Sequence, residues 1–342
     1  MKVLVTGGAG YIGSTICSAL VDNGHTPIIL DSLVRGREEF TRGHTFYKGD
    51  IADRVLLERI FRDHPEIEAT IHCAALIVVP ESVAMPYEYY RENVAKSLEL
   101  FHILRELNHG RVVFSSSASI YDMVPNFMVT EEAPLRPSSP YARTKYMMEM
   151  ILKDFCAAYP EMQGIALRYF NPIGADPKMR TGIHIRRPSH VLGKLVDVAM
   201  GKLPAFEITG VDWATRDGTG IRDYIHVWDL AMAHVQAVEQ FPQIFERAGG
   251  PESRYVVINL GTGRGVTVRE LVTAFEKVYG QEINKVERPP RPGDVAGAYA
   301  NADTARRLIG WEARLPIEQG IADALRWGEV RESILHFGPE EE

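Results

Sequence analysis

The segment Val3-Leu4-Val5-Thr6-Gly7-Gly8-Ala9-Gly10-Tyr11-Ile12-Gly13 constrains this chain more than any other. A short β-branched apolar run ends in glycines spaced GxxGxxG and opens at once into an amphipathic stretch, Tyr11 to Asn23, that Gly24 closes. Strand, tight turn and helix follow in that order. Glycine is required in such a turn because its φ/ψ are unusual and because the backbone approaches its ligand with no Cβ in the way. The first N–H groups of the helix and the positive end of its dipole then face an anion, and a pyrophosphate is the natural occupant. Gly7, Gly10, Tyr11, Ile12 and Gly13 are therefore candidate cofactor-binding residues.

The elements that follow supply the sheet this unit needs. Pro27–Asp31, Thr45–Lys48, Ala69–Ala74 and Arg111–Ser115 read as buried strands, with helical patterns at Asp53–Asp63 and Pro86–Asn108 between them. Strands alternating with helices of this length call for right-handed crossovers and a parallel sheet covered on both faces. A helix at Pro140–Ala158 and a strand at Gly164–Tyr169 extend the pattern. Between Asn171 and Arg222 it breaks into loops around one helix, His190–Met200, and Tyr255–Leu260 and Val268–Val278 read as a further strand and helix. The C-terminal stretch, with Pro289, Pro290 and Pro292, reads as short elements. The expected fold is α/β: a Rossmann-type doubly wound parallel sheet with a smaller C-terminal substrate-binding lobe. The dinucleotide domain is expected over 1–170, with the chain returning to it at about 222–262, and the lobe over 171–221 and 263–342.

Composition removes several classes. A length of 342 residues allows one large or two coupled domains, and a net charge of -7 argues against a nucleic-acid partner. The three cysteines, Cys17, Cys73 and Cys156, are odd in number and widely spaced. They suggest neither a disulfide framework nor a metal cluster, and a cytoplasmic location follows. No apolar run reaches the length of a membrane span, so no membrane partner is expected.

Asp31, at the end of the second strand, stands where a carboxylate bonds the adenosine ribose of a dinucleotide, with Ser32 beside it. It would repel a 2′-phosphate, so NAD is expected rather than NADP. Asp50 and Ile51 can frame the adenine, and Ala74 and Ala75 leave room for the dinucleotide backbone. Tyr141 and Lys145 lie four apart, on one face of their helix. The spacing is a weak signal alone. It gains weight from the serine run Ser115-Ser116-Ser117 at the carboxyl edge of the sheet, where ligands of open α/β sheets bind. A phenol with an ordinary pKa of about 10 becomes a base near neutrality when cations favour its ionised form.

With Gly7–Gly13, Ser115–Ser117, Tyr141–Lys145, Arg168-Tyr-Phe-Asn171 and Asp217-Gly-Thr-Gly-Ile-Arg-Asp-Tyr-Ile-His226 in order, the chain resembles the extended short-chain dehydrogenase/reductase family over nearly its whole length. Within that family it is most similar to the 4-epimerases of UDP-glucose and UDP-galactose. The resemblance implies an isomerase that uses NAD and a UDP-sugar. The tyrosine takes the proton of the 4-hydroxyl, hydride leaves C4 to give a 4-ketose, and hydride returns to the other face. Tyr141 would be the base, Lys145 its pKa partner and Ser117 the hydrogen-bonding residue. Asn93, Ser115 and Tyr169 would line the nicotinamide end together with Tyr141 and Lys145. Asn171 would contact the phosphates, Arg222 and Arg291 would clamp the diphosphate and uridine side, and Asp294 would hold the uridine ribose. Ser189, His190 and Val191 would complete the substrate contacts. A homodimer through the 86–108 and 140–158 helices is implied as well.

Three departures bear on specificity. Ile77 stands where many epimerases have a lysine on the cofactor. Ser189 and His190 replace the usual Asn-Asn, preceded by Arg186 and Arg187, and Ala298 stands where some relatives carry a tyrosine beside the sugar. These changes favour a roomier or more cationic pocket, able to accept UDP-N-acetylhexosamine or UDP-glucuronate. A 4,6-dehydratase would need an added acid and base after the third serine, but Ala118 and Ser119 follow here. A non-catalytic NAD sensor conflicts with the intact Ser117, Tyr141 and Lys145.

Overall fold

The computed structural model describes residues 1–250, 252–290 and 294–337. Its centre is a seven-stranded sheet in the order Tyr255–Leu260, Gln163–Tyr169, Arg111–Ser115, Ile67–His72, Lys2–Thr6, Thr26–Asp31 and Thr45–Lys48. Every neighbouring pair is parallel. The Lys2–Thr6 strand lies between Thr26–Asp31 and Ile67–His72, which makes it the switch point of a doubly wound sheet.

Alternation along each strand sends side chains to two cores. Val3 and Val5 join Ile16, Leu20, Leu230 and Val235 on one face, while Leu4 joins Leu57, Phe101, Leu104 and Leu152 on the other. Both faces are covered by helices, as the near-continuous apolar strands require. The Pro140–Ala158 helix starts on a defined cap: the Ser139 hydroxyl accepts from the Ala142 N–H at 3.1 Å, and Pro140 occupies the first turn.

The smaller lobe has its own core, including Leu192, Leu195, Phe206, Ile208, Leu271, Phe275 and Ile321. Three small sheets knit it together. One of them joins Met128–Val129 to Gly297–Ala300, Ile221–Arg222 and Val266–Thr267.

Several elements differ from the sequence expectation. The fourth strand is Ile67–His72, so Cys73 and Ala74 fall in the loop beyond it. The expected 86–108 helix is divided into Pro86–Tyr89, a π turn at Tyr90–Ala95 and Lys96–Glu106. In that π turn the Asn93 amide reaches the Leu76 backbone and Thr144, a use that an unbroken helix does not reveal by periodicity. The C-terminal stretch holds a 19-residue helix, Ile317–Leu335, which Gly320 and Gly328 hide from a propensity reading. Both glycines sit in close packing: a Cβ on Gly320 would lie 2.6 Å from the Ile173 side chain and one on Gly328 2.9 Å from Val196, so these neighbours would have to shift. Helices Val227–Glu239 and Phe241–Gly249, unforeseen, cover one face of the sheet. Ala305, Leu308, Ile309 and Trp311 belong to this large-domain core, although they fall in the run expected to form the smaller lobe.

Candidate active site

The glycine turn is a cradle with one open side. Gly7 has φ +72°, and a Cβ there would lie 2.7 Å from the Ala74 nitrogen. A Cβ on Gly13 would lie 2.2 Å from the Gly7 carbonyl, so neither position accepts a side chain. Gly10 differs: its nearest atom is the Gly7 carbonyl, 3.4 Å from where a Cβ would sit. That free space lies at the start of the Tyr11–Asp22 helix, whose first N–H groups have no partner within the helix. An anionic dinucleotide fits this arrangement.

Asp31 is buried, with its oxygens taking the Ala9 N–H at 3.0 Å and the Leu33 N–H at 2.8 Å. Burial raises its pKa and these two bonds lower it. The carboxylate thus ties the loop after the second strand to the glycine turn. Ser32 beside it is exposed. Tyr11 crosses to the loop near the smaller lobe, its hydroxyl donating to the Gly174 carbonyl at 2.7 Å. Asp50 takes the Ala52 N–H at 2.9 Å and Lys96 at 2.5 Å, and Ile51 is buried.

The reacting groups gather where two strands end. Ser117 lies close to Tyr141, and its hydroxyl donates to Ser119 Oγ at 2.9 Å. Burial pushes the Tyr141 phenol up and the Ser117 hydroxyl pulls it down. Lys145 is buried, donates to the Ser115 carbonyl at 2.9 Å and lies over the Phe114 ring. Burial pushes its ammonium down to about 8, opposed by Cys73 and Glu149 nearby. Tyr169 is held well above the usual phenol range, by burial first and then by the proximity of Cys73 and Tyr141. Asn93 is fully buried, accepting from Leu76 N at 2.7 Å and donating to Leu76 O at 2.9 Å and Thr144 Oγ1 at 3.0 Å. Every group of its amide is used by protein, so it shapes the Ala74–Leu76 loop.

On the smaller lobe, Asn171 opens a strand beside Tyr224–His226. His190 caps the Val191–Ala199 helix through Nδ1, which accepts from Gly193 N at 3.1 Å; Ser189 before it is exposed. Arg222 donates to the carbonyls of Ile221, Ala296 and Val295 at 2.7, 2.8 and 3.1 Å, gripping the backbone just after Asp294. Gly297, at φ +120°, must be glycine because a Cβ would lie 2.0 Å from that guanidinium. Arg291 lies outside the described residues.

The departures resolve unequally. The Arg186 guanidinium sits 5.1 Å from the centroid of Phe337, and its carbonyl accepts from Arg331 at 3.2 Å. The aromatic ring at the end of the long C-terminal helix draws it there. Arg187 is exposed. Ala298 packs in a small cluster with Ala118, Tyr121 and Phe170, next to Ser117 in the chain. Ile77 is exposed.

Three supports escaped the sequence. Glu149 and Arg168 form a buried pair at 2.7 Å, Ser116 donates to Glu149, and Arg168 reaches the Tyr121 hydroxyl at 2.9 Å. Asp223, fully buried, accepts from Thr262 N and Oγ1, Gly263 N and Ala300 N at 2.8, 2.7, 3.2 and 3.2 Å, joining the sheet edge to the smaller lobe. His234 reaches Ser115 Oγ at 3.0 Å. Only the position of Glu149 on the Tyr141 and Lys145 face of its helix, four residues on, was a usable signal. Among the described residues no group of three His, Cys, Asp or Glu side chains can hold a metal, and no helix is long and apolar enough to cross a membrane.

Comparison with known proteins places this geometry. Residues 3–249 match the model of the NAD dependent epimerase/dehydratase family. The chain is 41% identical over 336 residues to a UDP-glucose 4-epimerase of Bacillus subtilis (strain 168), covering 96% of each. It superposes on the UDP-glucose 4-epimerase of Bifidobacterium longum, solved with NAD+ and UDP, with a TM-score of 0.88 at 36% identity, covering 98% of this chain and 100% of that one. A Stenotrophomonas maltophila UDP-glucose-4-epimerase with bound NAD and formylated UDP-arabinopyranose gives a TM-score of 0.89 at 38% identity, covering 97% and 99%.

Proposed function

The chain belongs to the NAD dependent epimerase/dehydratase family, and we propose that it is an isomerase that inverts C4 of UDP-hexoses of the UDP-glucose/UDP-galactose type. The observation that carries the reading is the gathering of Ser117, Tyr141 and Lys145, the last anchored on the Ser115 carbonyl at the carboxyl edge of the sheet, beside a glycine cradle open at Gly10. NAD, bound with its pyrophosphate on Gly7–Gly13 and its adenosine end at Asp31 and Ser32, supplies a reversible hydride acceptor at C4. Asp50, Ile51, Ala74 and Ala75 flank the dinucleotide on this reading, and Ser115, Tyr169 and the loop shaped by Asn93 form its inner wall.

Tyr141 takes the proton of the C4 hydroxyl and later returns it, and Ser117 holds that oxygen in line. Lys145, anchored on the Ser115 carbonyl, contributes positive charge that favours phenolate at Tyr141. The 4-ketose formed between these steps turns over while its nucleotide stays clamped. Asn171, Ser189, His190, Val191, Arg222, Arg291 and Asp294 are the proposed clamp, with arginine suited to a diphosphate by its forked donors. The two-lobe division at 1–170 with a return near 222–262, against 171–221 and 263–342 apart from the Ala305–Trp311 stretch that packs in the larger core, would put the cofactor on one lobe and the nucleotide on the other.

Conversion of UDP-galactose to a product of equal mass with inverted C4 is the expected result. Loss of water would point instead to a 4,6-dehydratase. A second reading, acceptance of a larger C2 substituent, is favoured by Ala298 beside Ala118 and Phe170. On it, UDP-N-acetylgalactosamine turns over within a hundredfold of UDP-galactose in kcat/KM; a greater preference for the plain hexose overturns it. UDP-glucuronate, the other substrate considered, finds less support now that Arg186 is directed to Phe337.

The reading includes a homodimer through the 86–108 and 140–158 helices, on which Tyr87, Leu98 and Met150 are exposed. Sedimentation of a single species at twice the chain mass is expected, and a monomer at micromolar concentration would refute it. A cytoplasmic location accords with three unpaired cysteines.

A further inference from the structure

His72 ends the Ile67–His72 strand and is fully buried, its ring stacked on Phe114 and edge-on to Phe101, with centroids 5.7 Å away in each case. Both ring nitrogens meet hydroxyls: Nδ1 is 2.7 Å from Thr6 Oγ1 and Nε2 is 2.9 Å from Ser97 Oγ. Thr6 is the last strand residue before Gly7, and Ser97 lies in the first turn of Lys96–Glu106, just past the π turn that holds Asn93. Thr6, Asn93, Ser97 and Thr144 are fully buried as well.

Ser97 fixes the direction of this chain. Its other two neighbours, the Asn93 carbonyl at 2.5 Å and the Met148 sulfur at 3.1 Å, can only accept. The Ser97 proton therefore points away from His72, toward the closer carbonyl, and its oxygen accepts from Nε2. Burial, with the Lys145 charge nearby, pushes the imidazole down to about 3, so the ring is neutral near pH 7. Its one proton sits on Nε2, and Nδ1 accepts from Thr6. The donors thus run from Thr6 to His72 to Ser97 to the Asn93 carbonyl. The Asn93 amide then accepts from Leu76 N at 2.7 Å and donates to Leu76 O at 2.9 Å and Thr144 Oγ1 at 3.0 Å. Thr144 in turn donates to the Tyr141 carbonyl at 2.7 Å.

We propose that His72 is a positioning residue for the C4 reaction: its Nε2–H holds Ser97, and through Ser97 the Asn93 peptide, so that the Asn93 amide sets the Ala74–Leu76 loop against the turn that bears Tyr141. The chain joins the two parts that must stay in register, the cofactor cradle and the base. Gly7 approaches the same loop so closely that a Cβ would lie 2.7 Å from Ala74 N, so a displacement of the loop is felt at the glycine turn. A π turn is a rare conformation, and an anchor of fixed polarity holds it in one geometry. None of His72, Ser97 and Thr144 belongs to the proposed nucleotide clamp, so their loss acts on rate through misplacement and leaves UDP-sugar binding intact. The inference rests on Tyr141 being the base, and its first test is independent of turnover.

In unaltered protein carrying 15N-labelled histidine, His72 is expected to show a protonated Nε2 and a bare Nδ1 at pH 7. A protonated Nδ1, or a charged ring, would overturn the proposal even if the enzyme is a 4-epimerase. The second test measures UDP-galactose kinetics in His72→Gln, whose Nε2 can replace the ring donor to Ser97, and in His72→Asn, whose shorter amide reaches only the Nδ1 position. We expect kcat to fall about tenfold in His72→Asn with KM changed less than about twofold, the size of one neutral hydrogen bond, and to stay within about threefold in His72→Gln. Ser97→Ala is expected to lose about tenfold too, and the double variant His72→Asn, Ser97→Ala no more than either alone, because both break one link. Equal losses in His72→Asn and His72→Gln, or losses that multiply in the double variant, would mean that His72 acts only by packing. Should His72→Asn not fold, the tautomer and Ser97→Ala still decide, an unchanged kcat in Ser97→Ala overturning the proposal.

Discussion

Tyr141→Phe is expected to lower kcat by a hundredfold or more while the purified protein keeps its NAD. The substitution removes one oxygen and leaves the ring, so the glycine cradle and the Asp31 contacts to Ala9 and Leu33 are untouched. What is lost is the phenol oxygen close to Ser117 at the carboxyl edge of the sheet. A positioned base contributes roughly 10² to 10⁴ in rate, so a loss of this size is diagnostic. Steady-state kinetics with the absorbance of released cofactor checks both halves. Turnover within tenfold of the unaltered chain would remove Tyr141 as the base, and loss of NAD with loss of activity would assign it to binding.

Arg168→Met is expected to destabilise the protein by about 3–5 kcal/mol, the usual consequence of leaving one member of a buried ion pair alone. Glu149 and Arg168 are 3% and 4% exposed and meet at 2.7 Å, with a second bond at 3.0 Å. The remaining carboxylate would keep only the Ser116 hydroxyl. The double variant Arg168→Met, Glu149→Met is expected to recover most of the loss, because apolar groups of similar volume replace such pairs at little cost. Urea unfolding of the three proteins measures this. A single-variant loss below about 1 kcal/mol, or a double variant no better than the single, would show that the pair is not coupled as described.

The cofactor half of the site was legible because its signals are local. Glycine at 7, 10 and 13 responds to contacts within one turn and one neighbouring loop, and Asp31 ends the adjacent strand. Ser115–Ser117 and Tyr141 were legible for a related reason: strand ends of a parallel sheet share one edge, so a strand order suffices to bring them together. The supporting groups gave no such signal. Asn93 acts through a π turn, His234 through a helix assigned to no role, and Asp223 through loops at Thr262, Gly263 and Ala300. Each depends on partners 17 to 119 positions away. Arg186, whose role the sequence left open between the sugar pocket and a surface loop, lies over the Phe337 ring.

By itself, the amino-acid sequence determined the doubly wound α/β class and the glycine turn, and it supplied Asp31 as the candidate ribose contact and the candidate base with its serine and lysine. All of these follow from short-range requirements: backbone φ/ψ at glycine, two-residue alternation in strands and four-residue spacing on a helix. Tertiary structure alone decided which hydrogen-bond partners hold those groups in register. It paired Glu149 with Arg168, turned Asn93 onto Leu76, and brought His234 against Ser115. The physical reason is that a buried polar atom must find a partner wherever the chain brings one, and that choice is made by packing across the whole sheet.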